Sequence, residues 1–266
     1  MPKARVNQTT IHYEVEGEGE PLVFIHGLGA SLSMYHPQVE YFKHKNKVIT
    51  MDLRGNGESG ELTAKVSDVL AKQCEDLKTL LDQLEVNSAT FVGVSYGGVI
   101  CQLFTKLYPD TVKKLVIVDS FCTTKPTNLK MLGMMIGAYM VVAYYLPTKF
   151  LINSIRSTYA KWPLALEEME KVVTNMRKKE VVKQRLAINK IDYTDFITEL
   201  HMPSLVLVGN QTKIGIEMSR QIAERLPNCK FEIIENSFDP SNLCQPDTFN
   251  RLLNNFMKED SNRASV

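Results

Sequence analysis

The sequence predicts an α/β protein built on a mostly parallel sheet with helices on both faces. Short apolar segments rich in Val, Ile and Leu alternate with longer amphipathic segments over most of the 266 residues. Such alternation, with strands that are apolar on both sides, is typical of a parallel sheet buried between helices. One long segment without strand signals interrupts the alternation and predicts a helical insertion.

Seven short apolar segments are predicted strands. In chain order they are Ile11–Val15, Leu22–His26, Lys47–Asp52, Thr90–Val94, Lys114–Asp119, Ser204–Gly209 and Lys230–Ile234. Between them, Asp68–Leu84 carries apolar residues at helical spacing, which predicts an amphipathic helix packed on the sheet. A further helix is expected to begin near Asp247, after the last strand.

The insertion contains only helical patterns, and strand signals resume after Pro203. We therefore expect a helical cap over residues 121–195, inserted into a core formed by residues 1–120 and 196–266. Open α/β folds bind ligands at the carboxyl ends of their strands. The cap is expected to cover that edge of the sheet.

The most apolar stretch of the chain, MLGMMIGAYMVVAYYLP at residues 131–147, lies inside the predicted cap. It is a little shorter than the roughly 20 residues that a membrane-spanning helix needs, and strands of the same sheet lie on both sides of it. We expect a lid helix that faces an apolar pocket; the alternatives are plain lid core, or a membrane or partner contact through Gly133 and Gly137. The expected substrate-binding residues are Met131, Met134, Met135, Tyr139 and Tyr144.

Composition and charge are those of an ordinary soluble protein. Charged residues make up 23% and apolar residues 44%, and the net charge is +1, so nothing favours a nucleic acid or an acidic membrane as partner. The five cysteines lack the spacing of metal ligands, so no metal site is predicted and reduced thiols are expected. The first residues form no apolar signal core. We expect a cytoplasmic protein, and a homodimer is left open.

The segment FVGVSYGGVI, residues 91–100, follows a predicted strand and opens a helical pattern. It contains G-x-S-x-G centred on Ser95. In this position the glycines allow a sharp strand-to-helix turn that presents the serine hydroxyl, and the helix N-terminus favours developing negative charge. Ser95 is therefore the predicted nucleophile.

Two further loops accompany this turn. FIHGLGAS (24–31) follows a strand, and MDLRGNGESG (51–60) has the pattern D-x-R-G-x-G-x-S. The glycines of the second loop lack a following helix start, which argues against a nucleotide-binding loop. His26 in the first loop is expected to be structural, with a catalytic role as the alternative.

Together these segments resemble the α/β-hydrolase fold family, of the small esterase, perhydrolase and C–C hydrolase type. The resemblance extends over nearly the whole chain, to the last strand and the helix QPDTFNRLLNNFM. It implies an eight-stranded, mostly parallel sheet under a helical cap, Ser–His–Asp catalysis between them, and no cofactor. It also implies that the backbone N–H groups of Leu28 and Tyr96 form the oxyanion hole beside Ser95.

The resemblance fails at the other two catalytic positions. The family acid follows the strand SLVLVG, where this chain has Thr212, and the family histidine belongs in the turn that holds Phe238 and Asp239. The only histidine after Ser95 is His201, which precedes a strand at the wrong end of the sheet. No conventional triad can be written.

Carboxylates are the remaining candidates for acid–base chemistry. Asp119 ends the strand after the one that leads to Ser95, and Asp239 stands at or beside the histidine position. Each could instead be a loop-capping residue. An unperturbed aspartate, with a pKa near 4, is a poor base for a serine hydroxyl. Glu217 could reach the site only through an unusual bend.

Three hypotheses follow. The first is a serine hydrolase of small apolar esters or acyl compounds with an unusual or weakened base. The second is a non-catalytic protein whose capped pocket binds a small apolar molecule and reports it to a partner. The third is a structural protein without a ligand.

Overall fold

The computed structural model describes residues 2–126, 133 and 141–259. They form a sheet of eight strands in the order β1-β2-β4-β3-β5-β6-β7-β8. The first two strands pair antiparallel, β2 pairs antiparallel with β4, and all later pairings are parallel. The predicted fold class is confirmed.

The strands lie close to the predicted segments. They are β1 (Lys3–Val6), β2 (Thr9–Glu16), β3 (Glu20–Ile25), β4 (Asn46–Met51), β5 (Ala89–Val94), β6 (Val112–Val118), β7 (Ser204–Gly209) and β8 (Cys229–Ile234). The seven predicted strands correspond to β2–β8, and the short edge strand β1 is the addition.

The helices alternate with the strands as expected. They are α1 (His36–Phe42), α2 (Val69–Gln83), α3 (Tyr96–Leu107), α4 (Thr148–Tyr159), α5 (Pro163–Asn175), α6 (Lys178–Ile188), α7 (Lys213–Ala223), the short α8 (Ser241–Cys244) and α9 (Pro246–Lys258). Short 3-10 turns lie at Leu32–Tyr35, Val66–Asp68, Pro109–Thr111, Val141–Tyr145 and Phe196–Glu199.

Successive residues of the central strands point to opposite faces of the sheet, and each face has its own hydrophobic core. Phe91 packs with residues of α2 and α3, such as Leu77 and Phe104. Its neighbour Val92 packs on the other face with residues of α1 and α9, such as Phe42. The continuous apolar runs seen in the sequence are therefore buried on both sides.

The region predicted to be a cap contains α4, α5 and α6, and an isolated antiparallel bridge between Thr123 and Asp192 joins its two ends. Its boundaries at residues 121 and 195 remain a prediction. Met131, Met134, Met135 and Tyr139 lie outside the described residues. Within the described ranges, no helix combines the length and the apolar character that crossing a membrane requires.

Candidate active site

Ser95 forms the sharp turn between β5 and α3. Its backbone has φ 53° and ψ −112°, a conformation that costs a non-glycine residue about 1–3 kcal/mol. The turn is held from β6 and the segment after it: the Ser95 N–H donates to the Val118 carbonyl at 2.8 Å, and the Ser120 hydroxyl donates to the Ser95 carbonyl at 2.7 Å. The strain is therefore sustained by the neighbouring strand.

The two glycines of the motif are required by close backbone approach. A Cβ atom on Gly93 would lie 2.3 Å from the Gly97 carbonyl oxygen, and one on Gly97 would lie 2.0 Å from the Ile25 carbonyl oxygen. Both distances are far inside van der Waals contact. The predicted reason for the glycines, that side chains must be absent for α3 to begin so close to β5 and β3, agrees with this geometry.

The predicted oxyanion donors flank the serine. Leu28 lines the same small cavity as Ser95, and Tyr96 follows Ser95 as the first residue of α3. Among the described residues, none accepts a hydrogen bond from the Leu28 N–H. The Tyr96 side chain is buried and donates to Gln73 at 2.7 Å, so the residue can face the site only through its backbone.

Asp119 directly follows β6, and its carboxylate accepts more hydrogen bonds than that of Asp239, the other aspartate beside Ser95. Its carboxylate accepts from the Gly209 N–H at 2.8 Å, the Ser241 N–H at 2.7 Å and the Ser241 hydroxyl at 2.9 Å. Burial raises the pKa of Asp119 to about 6, and these hydrogen bonds, which favour the charged form, limit the rise. Asp119 is therefore an anion at neutral pH.

Asp239 interacts with both Ser95 and Asp119. Burial, and then the negative charge of Asp119, raise its pKa well above the usual range of an aspartate, while a hydrogen bond with Ser95 acts in the opposite direction. Both aspartates and Ser95 line one cavity. The structure thus brings together the three residues that sequence analysis named as catalytic candidates.

The ionisation of this pair determines its chemistry. Two neighbouring carboxyl groups repel each other when both are ionised. The Asp119 carboxylate accepts three hydrogen bonds, which stabilise its ionised form. Asp239 therefore holds a proton more strongly than Asp119 does. When Asp239 does ionise, it is a much stronger base than an ordinary aspartate, because its pKa is closer to that of the group it must deprotonate.

None of the other candidate groups reaches Ser95. His26 is buried, and its Nδ1 donates to the Gly27 carbonyl at 2.7 Å. Its Nε2 accepts a hydrogen bond from the Leu53 N–H at 3.0 Å, so the imidazole is neutral and connects the two glycine-containing loops. Burial lowers the pKa of His26. His201 is exposed before β7, and Glu217 is exposed on α7. Thr212, at the family's acid position, caps α7 by accepting from the Gly215 N–H at 3.1 Å.

Two aromatic residues at the junction of α4 and α5 hold the turn that carries Asp239, and sequence analysis did not predict them. The Tyr159 hydroxyl donates to the Asp239 carbonyl at 2.5 Å, and the Trp162 indole donates to the Asn236 carbonyl at 2.9 Å. The Tyr159 ring also meets that of Phe238 edge-on, with 5.7 Å between the centroids. The helical region therefore positions the candidate base.

Two cavities meet at Ser95 and Asp239. The smaller, about 180 Å³, is walled by the Leu28 loop and by apolar side chains that include Met34, Met169 and Val172. The larger, about 720 Å³, also contains Arg185, Asn189, Gln211 and Lys213, none of which sequence analysis singled out. Gln211 and Lys213 follow the carboxyl end of β7, where open α/β folds bind ligands. That position in the sequence could have identified them as candidate cavity residues.

Tyr144 is the one predicted pocket residue within the described ranges. It is partly buried, and burial raises its pKa while the positive charge of Arg185 opposes the rise. Tyr144 thus lies near a residue of the larger cavity without lining it. Its predicted role in binding stays a prediction.

Comparison with known proteins agrees with the fold. A profile of the alpha/beta hydrolase fold matches residues 20–139. An esterase from Thermogutta terrifontis superimposes with a TM-score of 0.84 over 97% of this chain and 99% of its own, at 21% identity. The chain has the α/β-hydrolase fold.

Two curated proteins are similar to this chain over most of its length. (E)-2-((N-methylformamido)methylene)succinate hydrolase of Acinetobacter baylyi is 27% identical over 93% of this chain and 94% of its own. 3-oxoadipate enol-lactonase 2 of the same organism is 24% identical over 93% of each chain.

The close backbone approach at the Ser95 turn predicts that two glycine substitutions differ greatly in their effect on stability. Gly97→Ala would place a methyl group 2.0 Å from a backbone oxygen and is expected to destabilise the protein by more than about 3 kcal/mol or prevent folding. Gly27→Ala, whose nearest contact is 3.7 Å, is the control and should cost much less. Urea denaturation measures both; equal losses would contradict the steric explanation.

The raised pKa of Asp239 predicts a pH-dependent effect on stability. Because the folded pKa exceeds the unfolded value near 3.9, wild-type stability falls as pH rises from the unfolded pKa towards the folded one. Asp239→Asn mimics the protonated form and removes this penalty. Relative to wild type, its melting temperature should therefore be higher at pH 8 than at pH 4.

The exposed Asp110→Asn variant is the control for that measurement and should show no such trend. A constant difference between Asp239→Asn and wild type from pH 4 to pH 8 would show that Asp239 titrates normally.

Proposed function

We propose that this protein is a serine hydrolase of small esters or related acyl compounds in which a carboxyl pair takes the place of histidine and acid. The observation that carries the proposal is the Asp239 carboxyl beside the Ser95 hydroxyl, with its pKa raised by burial and by Asp119. The relatives support the reaction class, since those compared above are a hydrolase, an enol-lactonase and an esterase.

In the proposed reaction, ionised Asp239 accepts the Ser95 proton as Oγ adds to the acyl carbon. The oxyanion that forms accepts hydrogen bonds from the N–H groups of Leu28 and Tyr96. Asp239 then returns the proton to the leaving oxygen, and an acyl-serine remains. Water, deprotonated by Asp239, releases the acid, and the proton goes back to Ser95.

The carboxyl pair favours proton transfer from Ser95 to the base, as a histidine–aspartate pair does, but for a different physical reason. In the usual triad, the acid stabilises the positive charge that forms on histidine. Here, proton uptake by Asp239 relieves repulsion between two negative charges. In both arrangements the second carboxylate makes protonation of the base more favourable, so Asp119 has a comparable role without an imidazole.

Binding without turnover is a second candidate function. The raised pKa of Asp239 favours its protonated form, which can donate a hydrogen bond to a carbonyl group in the cavity but cannot act as a base towards Ser95. A small acyl compound would then be held by Asp239 and the two oxyanion donors. Unlike the hydrolase function, binding without turnover predicts that no product forms at any pH.

The pH dependence of ester hydrolysis tests the proposal. The value of kcat/KM should rise with pH as Asp239 ionises, with a midpoint well above 3.8, the ordinary value for an aspartate. Asp119→Asn removes the charge that raises this pKa, so the midpoint should move to lower pH. Ser95→Ala should abolish turnover, and Asp239→Asn should reduce it by about 10⁴-fold or more.

Labelling of Ser95 by a fluorophosphonate should follow the same pH profile and shift in the same direction in Asp119→Asn. If neither hydrolysis nor labelling exceeds that of Ser95→Ala between pH 6 and pH 10, the enzymatic proposal is wrong and binding without turnover takes its place.

Substitution of the base predicts a gain of activity. Because Asp119 already lies beside residue 239, Asp239→His alone places an imidazole between a serine and an ionised acid. We expect at least about tenfold faster hydrolysis of short-chain esters at pH 7, because an imidazole has an ordinary pKa of about 6.5, close to the working pH. Asp239→Gln, similar in size but without a base, is the control; equal rates in the two variants would contradict the placement of Asp119.

A further inference from the structure

The charges of the chain are unevenly distributed. Residues 141–190, which contain α4, α5 and α6, include ten Lys or Arg residues and four Glu residues, a net charge of +6. The whole chain has a net charge of +1, so the rest of it carries −5. The small overall charge therefore conceals a cationic helical region, which can attract an anionic surface although the chain as a whole does not.

Four large apolar side chains are exposed at the start of this region. Val142 and Phe150 each expose 67% of their surface, Tyr145 53% and Leu146 46%. In the described part of the chain, no other large apolar side chain is as exposed as Val142 and Phe150. These four residues, here called the apolar patch, lie in a 3-10 turn, just after it and in the first turn of α4. Exposed apolar side chains grouped in this way mark an interaction surface.

A cationic groove borders the apolar patch. Tyr145 lines a surface cavity of about 650 Å³ together with Arg177, Lys178, Lys179 and Lys183. The 3-10 turn that carries Tyr145 packs on α6, which begins at Lys178. The apolar patch and the lysines of α6 are therefore parts of one surface.

The lysines of this groove lack acidic partners. Among the described residues, Lys178 and Lys179 form no ion pair, and the Lys183 ammonium donates to two backbone carbonyls, which do not neutralise its charge. The two acids of the groove are Glu180, which is paired with the neighbouring arginine, and Glu61, which is exposed. Four cations and two acids leave the groove with a net positive charge.

This combination of apolar and cationic side chains matches the surface of an anionic lipid bilayer. Exposed apolar and aromatic side chains enter the boundary between headgroups and acyl chains, and each lysine near an anionic membrane strengthens binding by about fivefold. The centre of a protein–protein interface is depleted in lysine, and a nucleic acid offers no acyl region to the apolar patch. A bilayer uses both halves of the surface.

We propose that the apolar patch and the lysines of the groove form a docking surface for an anionic lipid bilayer. Val142 and Phe150, the two most exposed apolar side chains, enter the headgroup region, and Lys178 and Lys179 face the lipid phosphates. The proposal is independent of the proposed hydrolase function, because it uses none of the residues around Ser95.

Flotation of the full chain with lipid vesicles tests the proposal. One set of vesicles is phosphatidylcholine alone, and the other contains about 30% phosphatidylglycerol. The wild type should bind the anionic vesicles at least about tenfold more tightly than the neutral ones, because the contributions of the lysines multiply. Raising the salt concentration from about 0.1 M to about 1 M shortens the Debye length from about 10 Å to about 3 Å and should remove most of this preference.

Two double variants separate the two halves of the surface. Lys178→Gln/Lys179→Gln should weaken binding to the anionic vesicles by about tenfold or more and leave binding to the neutral vesicles unchanged. Val142→Ser/Phe150→Ser should weaken binding to both kinds of vesicle by about tenfold or more, since it removes the inserted apolar groups. Phe150→Ser alone should have a smaller effect in the same direction.

Matched double variants elsewhere on the molecule are the controls. Lys45→Gln/Lys258→Gln removes two exposed cations, and Tyr41→Ser/Leu107→Ser removes two exposed apolar side chains; all four residues lie outside the groove and the apolar patch. Both controls should bind vesicles as the wild type does. Circular dichroism melting shows that each variant is folded at the temperature of the binding measurement.

The outcomes that overturn the proposal are distinct from failure of the hydrolase function. Absence of binding to anionic vesicles overturns it, whatever the result with esters, and so does a loss of binding in the controls as large as in the two test variants. If Val142→Ser/Phe150→Ser binds as the wild type does, the lysines attract a soluble polyanion and no bilayer is involved. Sedimentation equilibrium tests for a second copy of the chain: a dimer that this variant dissociates, with no vesicle binding, would assign the apolar patch to a subunit interface.

Discussion

The carboxylate of Asp119 is the interaction on which the site depends. It accepts hydrogen bonds from the end of β7 at Gly209 and from the start of α8 at Ser241, while its own backbone continues β6. Three segments far apart in sequence are thereby fixed at one edge of the sheet. The turn that carries Asp239 lies between two of these anchors, so the position of Asp239 beside Ser95 follows from them.

The same contacts bear on how a carboxyl group could act in the proposed reaction at the position where the family resemblance implies an imidazole. An isolated aspartate in water is too weak a base for serine, but an aspartate buried beside a second anion has its affinity for protons raised. The cost is that Asp239 keeps its proton to a higher pH than an ordinary aspartate does. In the proposed reaction, base strength and the fraction of ionised base therefore oppose each other, and their balance would set the pH dependence.

The helical region over the sheet has two separate effects on this site. Through Tyr159 and Trp162 it binds the backbone of the turn that carries Asp239, which fixes the base. Through Arg185 it contributes a side chain to the lining of the larger cavity. The helical region therefore shapes both the turn that carries Asp239 and the cavity beside it.

The sequence alone determined the α/β architecture, the seven strands β2–β8 and Ser95, because hydrophobic periodicity and the glycine pattern of a strained turn are local properties. It also offered Asp119 and Asp239, but only as residues of ordinary acidity without a stated relation. Their proximity, the raised pKa values, and the contributions of Tyr159, Trp162 and Arg185 were decided by the tertiary structure. These depend on burial and on contacts between segments more than 60 residues apart, such as Ser241 with Asp119 and Tyr159 with Asp239, and such contacts leave no periodic signal in the chain.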